Sequence, residues 1–165
     1  MLNERWILQA KDLGELFTKE NIVFDLIVSS TTPRAIQTAE NMFPWREIIL
    51  APELRAKSSG DWEGKLKTEV YTEEYLNNIY DFVPPGGESY ASVNNRAKIW
   101  YDNFIENNAH LEKVAVISHD FAIKCLFCNF FEIPWKYIES LKINNIGQMI
   151  IEISESKKVK LIHWN

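Results

Sequence analysis

The chain has 165 residues with 46% hydrophobic and 13% aromatic content, enough to bury one substantial core and a length usual for a single domain over residues 1–165. Lys and Arg total 18 against 23 Asp and Glu, a formal net charge of -5, and no run of like charges forms a tail or a nucleic-acid arm. Nucleic acid is therefore not an expected partner, although a few cations converging in a cleft still suffice to hold a small phosphate ester, because local field decides binding there.

Residues 2–17 place Ile7, Leu8, Leu13, Leu16 and Phe17 at helical intervals behind Asn3, a candidate N-cap. Residues 22–30 (IVFDLIVSS) are a β-branched run that predicts a strand; Thr31, Thr32 and Pro33 follow, then a helical stretch from Arg34. A short strand is expected over 48–50, a loop over 54–64 ending Gly60-Asp61-Trp62-Glu63-Gly64, and a polar helix over 66–80. The breaker cluster Val83-Pro84-Pro85-Gly86-Gly87-Glu88-Ser89 must be a loop, with Ser89 capping a helix over 90–106 that carries Val93, Ala97, Trp100 and Phe104 at three- and four-residue spacing. Residues 113–118 (KVAVIS) repeat the strand pattern, His119 follows, and 121–131 read as a helix. Cys125 and Cys128 share one side of that helix and are read as core, because no second Cys/His pair completes a tetrahedral metal site; no metal or cofactor is implied. Residues 147–154 and 159–164 predict a hairpin at the sheet edge. With no signal peptide and no apolar run near ~18 residues, the chain is expected to be cytoplasmic and without a membrane partner.

Strands alternating with helices, with continuous rather than alternating apolar character, predict an α/β fold: a three-layer sandwich with a mainly parallel sheet covered on both faces. In such sheets ligands collect outside the carboxyl ends of the strands, where helix N-termini present free N–H groups to anions. Arg34 lies four residues beyond Ser30, and His119 directly follows the second apolar strand. If both strands share one sheet, a guanidinium fork and an imidazole face one crevice and form a phosphate clamp. Each alone has an ordinary alternative, a solvated or capping Arg and a structural hydrogen-bonding His.

The stretch from Phe24 to Glu40, with Ser29-Ser30, Arg34-Ala35 and Thr38-Ala39, resembles a signature of the histidine phosphatase (phosphoglycerate mutase-like) superfamily. Gly60-Asp61-Trp62-Glu63-Gly64, Pro85-Gly86-Gly87-Glu88-Ser89 and Val116-Ile117-Ser118-His119 follow in that family's order and spacing. The resemblance implies that Arg34 and His119 bind phosphate, that a phosphorylated small molecule or phosphate is the partner, and that the parent reaction is phosphomonoester hydrolysis or phosphoryl transfer. It also implies an Arg-His-Gly triplet after a first strand, whose His attacks phosphorus, and a Glu that protonates the leaving oxygen.

Both catalytic groups depart from that pattern. The histidines are His110, His119 and His163, none in an Arg-His-Gly triplet, and the acid position is occupied by Ala56. Residues 2–10 match the family's first-helix pattern, so the chain is expected to start after the catalytic loop, to lack the first strand and to stop short at the other end as well. Ser30, Glu53 and Glu88 are the remaining candidate loop contributors, with Glu53 offset by three residues from the acid position. The oligomeric state stays open, with an incompletely covered sheet favouring association into a homo-oligomer. Three readings stay open: an inactive phosphatase remnant, an active enzyme with an unrecorded N-terminal segment, and a non-catalytic phospho-ligand-binding module.

Overall fold

The computed structural model describes residues 2–144, 147–153 and 159–164. Helix α1 (Glu4–Lys19) begins where the Asn3 side chain accepts the Trp6 N–H at 3.0 Å, with Glu4 in its first turn and Lys19 in its last complementing the helix dipole. It packs directly on α2 (Pro33–Met42): a Cβ added at Gly14 would stand 2.2 Å from the Met42 carbonyl oxygen, so only glycine permits this approach.

Strand β1 (Leu26–Ser30) starts four residues later than the β-branched run from Ile22 predicts. Asn21 takes a left-handed φ of 54°, and the Ile22 N–H returns to the Phe17 carbonyl at 2.8 Å, which turns the chain out of the sheet. Pairing becomes possible only after Asp25, whose carboxylate accepts the N–H groups of Glu112 and Lys113 at 2.9 and 2.8 Å and so aligns the entry to β3 (Val114–Ile117).

The sheet has the order β2-β1-β3, all parallel, where β2 is Ile49–Ala51 and Val28 pairs with Ile49 on one side and Val116 on the other. Alternation along β1 divides its side chains between two faces. Val28 packs with Ala51, Leu54, Ala97, Cys125 and Leu126 beneath α5 (Tyr90–Asn107) and α6 (Asp120–Phe130), while α2 contacts β1 and β3 and carries α1 packed against it. This is the three-layer α/β arrangement that the alternating pattern predicts. Cys125 and Cys128 are both buried and free, and burial pushes the Cys125 thiol up to about 12.

Two elements differ from the sequence-based expectation. The polar helix over 66–80 is two short helices, α3 (Lys67–Val70) and α4 (Glu73–Asn77), because the Thr72 side chain caps a new start by accepting the Tyr75 N–H at 3.1 Å. Strands β4 (Met149–Ile153) and β5 (Val159–Trp164) do form the expected antiparallel hairpin, but among the described residues it is a separate two-stranded sheet rather than an edge of the parallel one. Ser154, the expected end of the first hairpin strand, lies outside the described residues. Among the described residues, no helix is long and apolar enough to cross a membrane.

Candidate phosphate-binding site

Parallel pairing of β1 with β3 brings their carboxyl ends side by side, and with them the starts of α2 and α6. Thr32 is the N-cap residue of α2 and His119 that of α6, so two helix N-termini open onto the same crevice. The His119 Nε2 lies 3.0 Å from the Ser30 hydroxyl and 2.8 Å from the Thr32 hydroxyl, within hydrogen-bonding distance of both. Ser30 is fully buried at the end of β1, so one side of the imidazole is held by the sheet itself.

Burial first, then the nearby positive charges of Arg34 and Arg96, push the His119 pKa down to about 4. The imidazole is therefore neutral at neutral pH and surrounded by positive potential, a setting that favours an arriving anion. Arg34 stands in the first turn of α2, exposed, and its guanidinium takes no hydrogen bond or ion pair among the described residues. The structure thus places Arg34, His119 and Ser30 around one crevice and adds Thr32, which the sequence did not single out as a site residue.

The other expected contributors lie in the wall rather than the crevice. Glu88 receives two hydrogen bonds from Arg96, at 3.1 and 3.0 Å, accepts the Ser58 N–H at 3.0 Å, and pairs with Arg55 at 3.4 Å. Burial alone would raise its carboxyl, but the Arg96 hydrogen bonds, the Ser58 N–H and the charges of Arg96 and Arg55 outweigh it and hold the pKa below the usual carboxylate range. Arg96 also donates to the carbonyls of Glu53 and Ala56, the latter at 3.3 Å. One guanidinium therefore binds the loop that carries Glu53 and Ala56 to the Pro-Gly-Gly-Glu-Ser loop. Arg96 was legible as an anomaly: it falls within the apolar stripe of Val93, Ala97 and Trp100 on α5, where a charge needs a buried partner.

The nearby acidic residues have other partners or surroundings. Glu53 is among the residues lining a separate cavity with Trp100 and Phe104, Glu63 accepts the Ser59 N–H at 2.9 Å, and Glu88 is committed to Arg96. Loop closure is tight: a Cβ at Gly60, where φ is +55°, would lie 2.1 Å from the Pro85 carbonyl oxygen. His110 and His163 are exposed, and the structure does not bring them to this crevice.

A family model described as histidine phosphatase superfamily (branch 1) matches residues 1–165. Phosphoserine phosphatase 1 of Hydrogenobacter thermophilus is 28% identical over 169 residues, covering 97% of this chain and 78% of that protein. A 2,3-bisphosphoglycerate-dependent phosphoglycerate mutase of Parvibaculum lavamentivorans is 23% identical, covering 93% of this chain and 79% of that one. Among solved structures, an alpha-ribazole phosphatase from Shigella flexneri superposes with a TM-score of 0.90 at 22% identity, covering 100% of this chain and 84% of that one. That last likeness concerns the fold.

Proposed function

Since the chain belongs to the histidine phosphatase superfamily, we propose that the Arg34–His119 crevice binds the phosphoryl group of a phosphorylated small molecule, within a single cytoplasmic domain whose own turnover is absent or strongly impaired. The observation that carries this reading is the convergence of the Arg34 guanidinium and the His119 imidazole where two helix N-termini meet, with the Ser30 and Thr32 hydroxyls at 3.0 and 2.8 Å from Nε2.

The parent chemistry needs two further groups: an imidazole to attack phosphorus and an acid to protonate the leaving oxygen. The sequence holds three histidines, none in an Arg-His-Gly triplet. His119 is turned to hydroxyls at the end of β1, an anion-holding position, and the acid position is the methyl side chain of Ala56. Acid catalysis contributes about 10²- to 10⁴-fold to such reactions, and the surrounding carboxylates are engaged elsewhere.

Thermal melting with inorganic phosphate and with phosphomonoesters tests the reading. Ligand at about a hundred times its dissociation constant stabilises the fold by ~2.7 kcal/mol, which raises Tm by several degrees for a chain of this size. Arg34→Ala and His119→Ala should each remove most of that rise. An unchanged Tm in the parent chain would reject phosphate binding, and hydrolysis of an aryl phosphate that His119→Ala abolishes would reject the inactivity.

A further inference from the structure

Building on the phosphate-binding reading, we infer that Lys57 is a reactive lysine beside the Arg34–His119 crevice, where its amine condenses reversibly with the carbonyl of a phosphorylated aldehyde. The Lys57 side chain is half-buried, yet among the described residues it takes no hydrogen bond or ion pair. Its nitrogen lies instead over the Tyr90 ring, 5.0 Å from the centroid.

Two sets of contacts place this amine next to the crevice. Tyr90 opens α5 and packs on Phe121 with ring centroids 4.5 Å apart, and Phe121 stands in the first turn of α6, two residues past His119. On the other side, the carbonyl of the preceding residue, Ala56, accepts from Arg96 at 3.3 Å, and Arg96 is near enough to His119 to depress its pKa.

An ammonium that is withdrawn from water without acceptors favours its neutral amine. Burial, the largest influence, holds the Lys57 pKa below its ordinary value against the opposing charges of Glu88 and Glu63. Both carboxylates are engaged elsewhere: Glu88 with Arg96 at 3.1 and 3.0 Å, and Glu63 with the Ser59 N–H at 2.9 Å. A neutral lysine amine is nucleophilic and forms imines with carbonyl compounds. Two other lysines show what sets this one apart. Lys124 on α6 is tied to the Asp120 carboxylate at 2.8 Å, and Lys67 rests over the Tyr71 ring at 5.8 Å but is exposed.

The same contacts select the ligand. From His119 the path to the amine runs by way of the Phe121 and Tyr90 rings, a surface on which a planar aromatic aldehyde stacks while its phosphoryl group occupies the crevice. Tyr90 is itself held by a hydrogen bond with Tyr75, which is buried, so little ordering is needed when the ligand docks. The amine lone pair adds to the carbonyl carbon, and the carbonyl oxygen takes a proton from nitrogen to become a hydroxyl. The nitrogen lone pair then expels that hydroxyl as the C=N bond forms, and the remaining nitrogen proton leaves with it as water. Amine and aldehyde thus give imine and one water, with no oxidant or reductant.

Pyridoxal phosphate is the probe and pyridoxal, which lacks the phosphoryl group, the control, each with the full chain at neutral pH, followed by borohydride reduction and peptide mass spectrometry. Pyridoxal phosphate should label Lys57 ahead of Lys67, and the ratio of the two should exceed that with pyridoxal by about tenfold or more, because anchoring makes the condensation effectively intramolecular. Excess inorganic phosphate and Arg34→Ala should each return the ratio to the pyridoxal value. Lys57→Arg keeps a cation over Tyr90 and should remove most of the imine absorbance seen before reduction. Equal labelling of Lys57 and Lys67, or a ratio indifferent to the phosphoryl group, overturns the inference; if phosphate still raises Tm, the phosphate-binding reading stands without it. A chain whose Tm phosphate leaves unchanged loses both.

Discussion

Anion binding in the crevice should be coupled to proton uptake by His119, and the coupling can be read with sulfate, whose charge is constant over the working range. In the free protein burial, Arg34 and Arg96 hold the imidazole pKa at about 4, so at neutral pH an arriving sulfate would meet an uncharged ring. A sulfate oxygen beside Nε2 favours the imidazolium. At ~4 Å and an effective dielectric of ~20, a unit charge contributes about 4 kcal/mol, or about three pK units, which carries the bound-state pKa from about 4 towards 7. Between the two pKa values the complex holds a proton that the free protein lacks, so affinity rises as pH falls. The ideal slope is tenfold per pH unit; the crevice is open to water, and about tenfold in total between roughly pH 7.5 and pH 5 is the expected gain. Isothermal titration calorimetry in buffers of different ionisation enthalpy should show uptake approaching one proton at about pH 5.5. His119→Asn keeps a hydrogen-bonding side chain and should flatten the dependence. A sulfate affinity that is constant across this range, or a slope that survives His119→Asn, would refute the assignment of His119.

The same depressed pKa predicts a stability loss in acid. The unfolded chain takes up a proton near 6.5 and the folded one only near 4, so stability falls as pH drops through that window, by at most about 3 kcal/mol and, after allowance for solvent screening, about 1–2 kcal/mol; urea denaturation at several pH values reads it, and a flat profile that His119→Asn leaves unaltered would contradict it. Glu88 adds a second loss at lower pH, as its own depressed carboxyl protonates. Arg96→Ala should cost up to about 3–5 kcal/mol by leaving the half-buried Glu88 carboxylate with only the exposed Arg55 and the Ser58 N–H as partners and releasing two loop carbonyls, with Arg96→Lys recovering only part; a Tm within a degree or two of the parent would show that the pair is not a staple. Gly60→Ala should lose at least about 1–3 kcal/mol from its left-handed backbone, and more from the approach to Pro85, while Gly64→Ala, where the added Cβ meets nothing, should pay only the backbone part.

Most of the scaffold was legible because its signals are local. Asn3 and Ser89 cap the helices they were expected to cap, and the two apolar runs ending at Ser30 and Ser118 are the paired parallel strands β1 and β3. What the sequence hid depended on tertiary partners. Ile22 and Val23 have strand propensity but no strand to pair with, because the Asn21 turn and the Asp25 carboxylate decide where β1 begins. Helix propensity over 66–80 gives way to Thr72, a residue better used as a cap than in a helix interior. At the site, Arg34 and His119 could be placed from strand ends alone, whereas Thr32 entered only through the 2.8 Å approach to Nε2, which no spacing rule encodes.

The geometry also separates what holds the loops from what would do chemistry. Arg96 grips the backbone of Glu53 and Ala56, and its carboxylate partner is Glu88, so it fixes this loop without drawing on the Ala56 side chain. On the proposed reading, in which position 56 is that of the acid, the methyl side chain of Ala56 leaves the Arg96–Glu88 tie untouched. On the proposed anion-holding side the Ser30 and Thr32 hydroxyls orient His119, while Arg34 stands exposed in the first turn of α2. On the proposed reading, anion binding and the fold do not depend on a carboxylate at position 56, because the hydrogen bonds that fix these loops and His119 run through backbone carbonyls, hydroxyls and the buried ion pair.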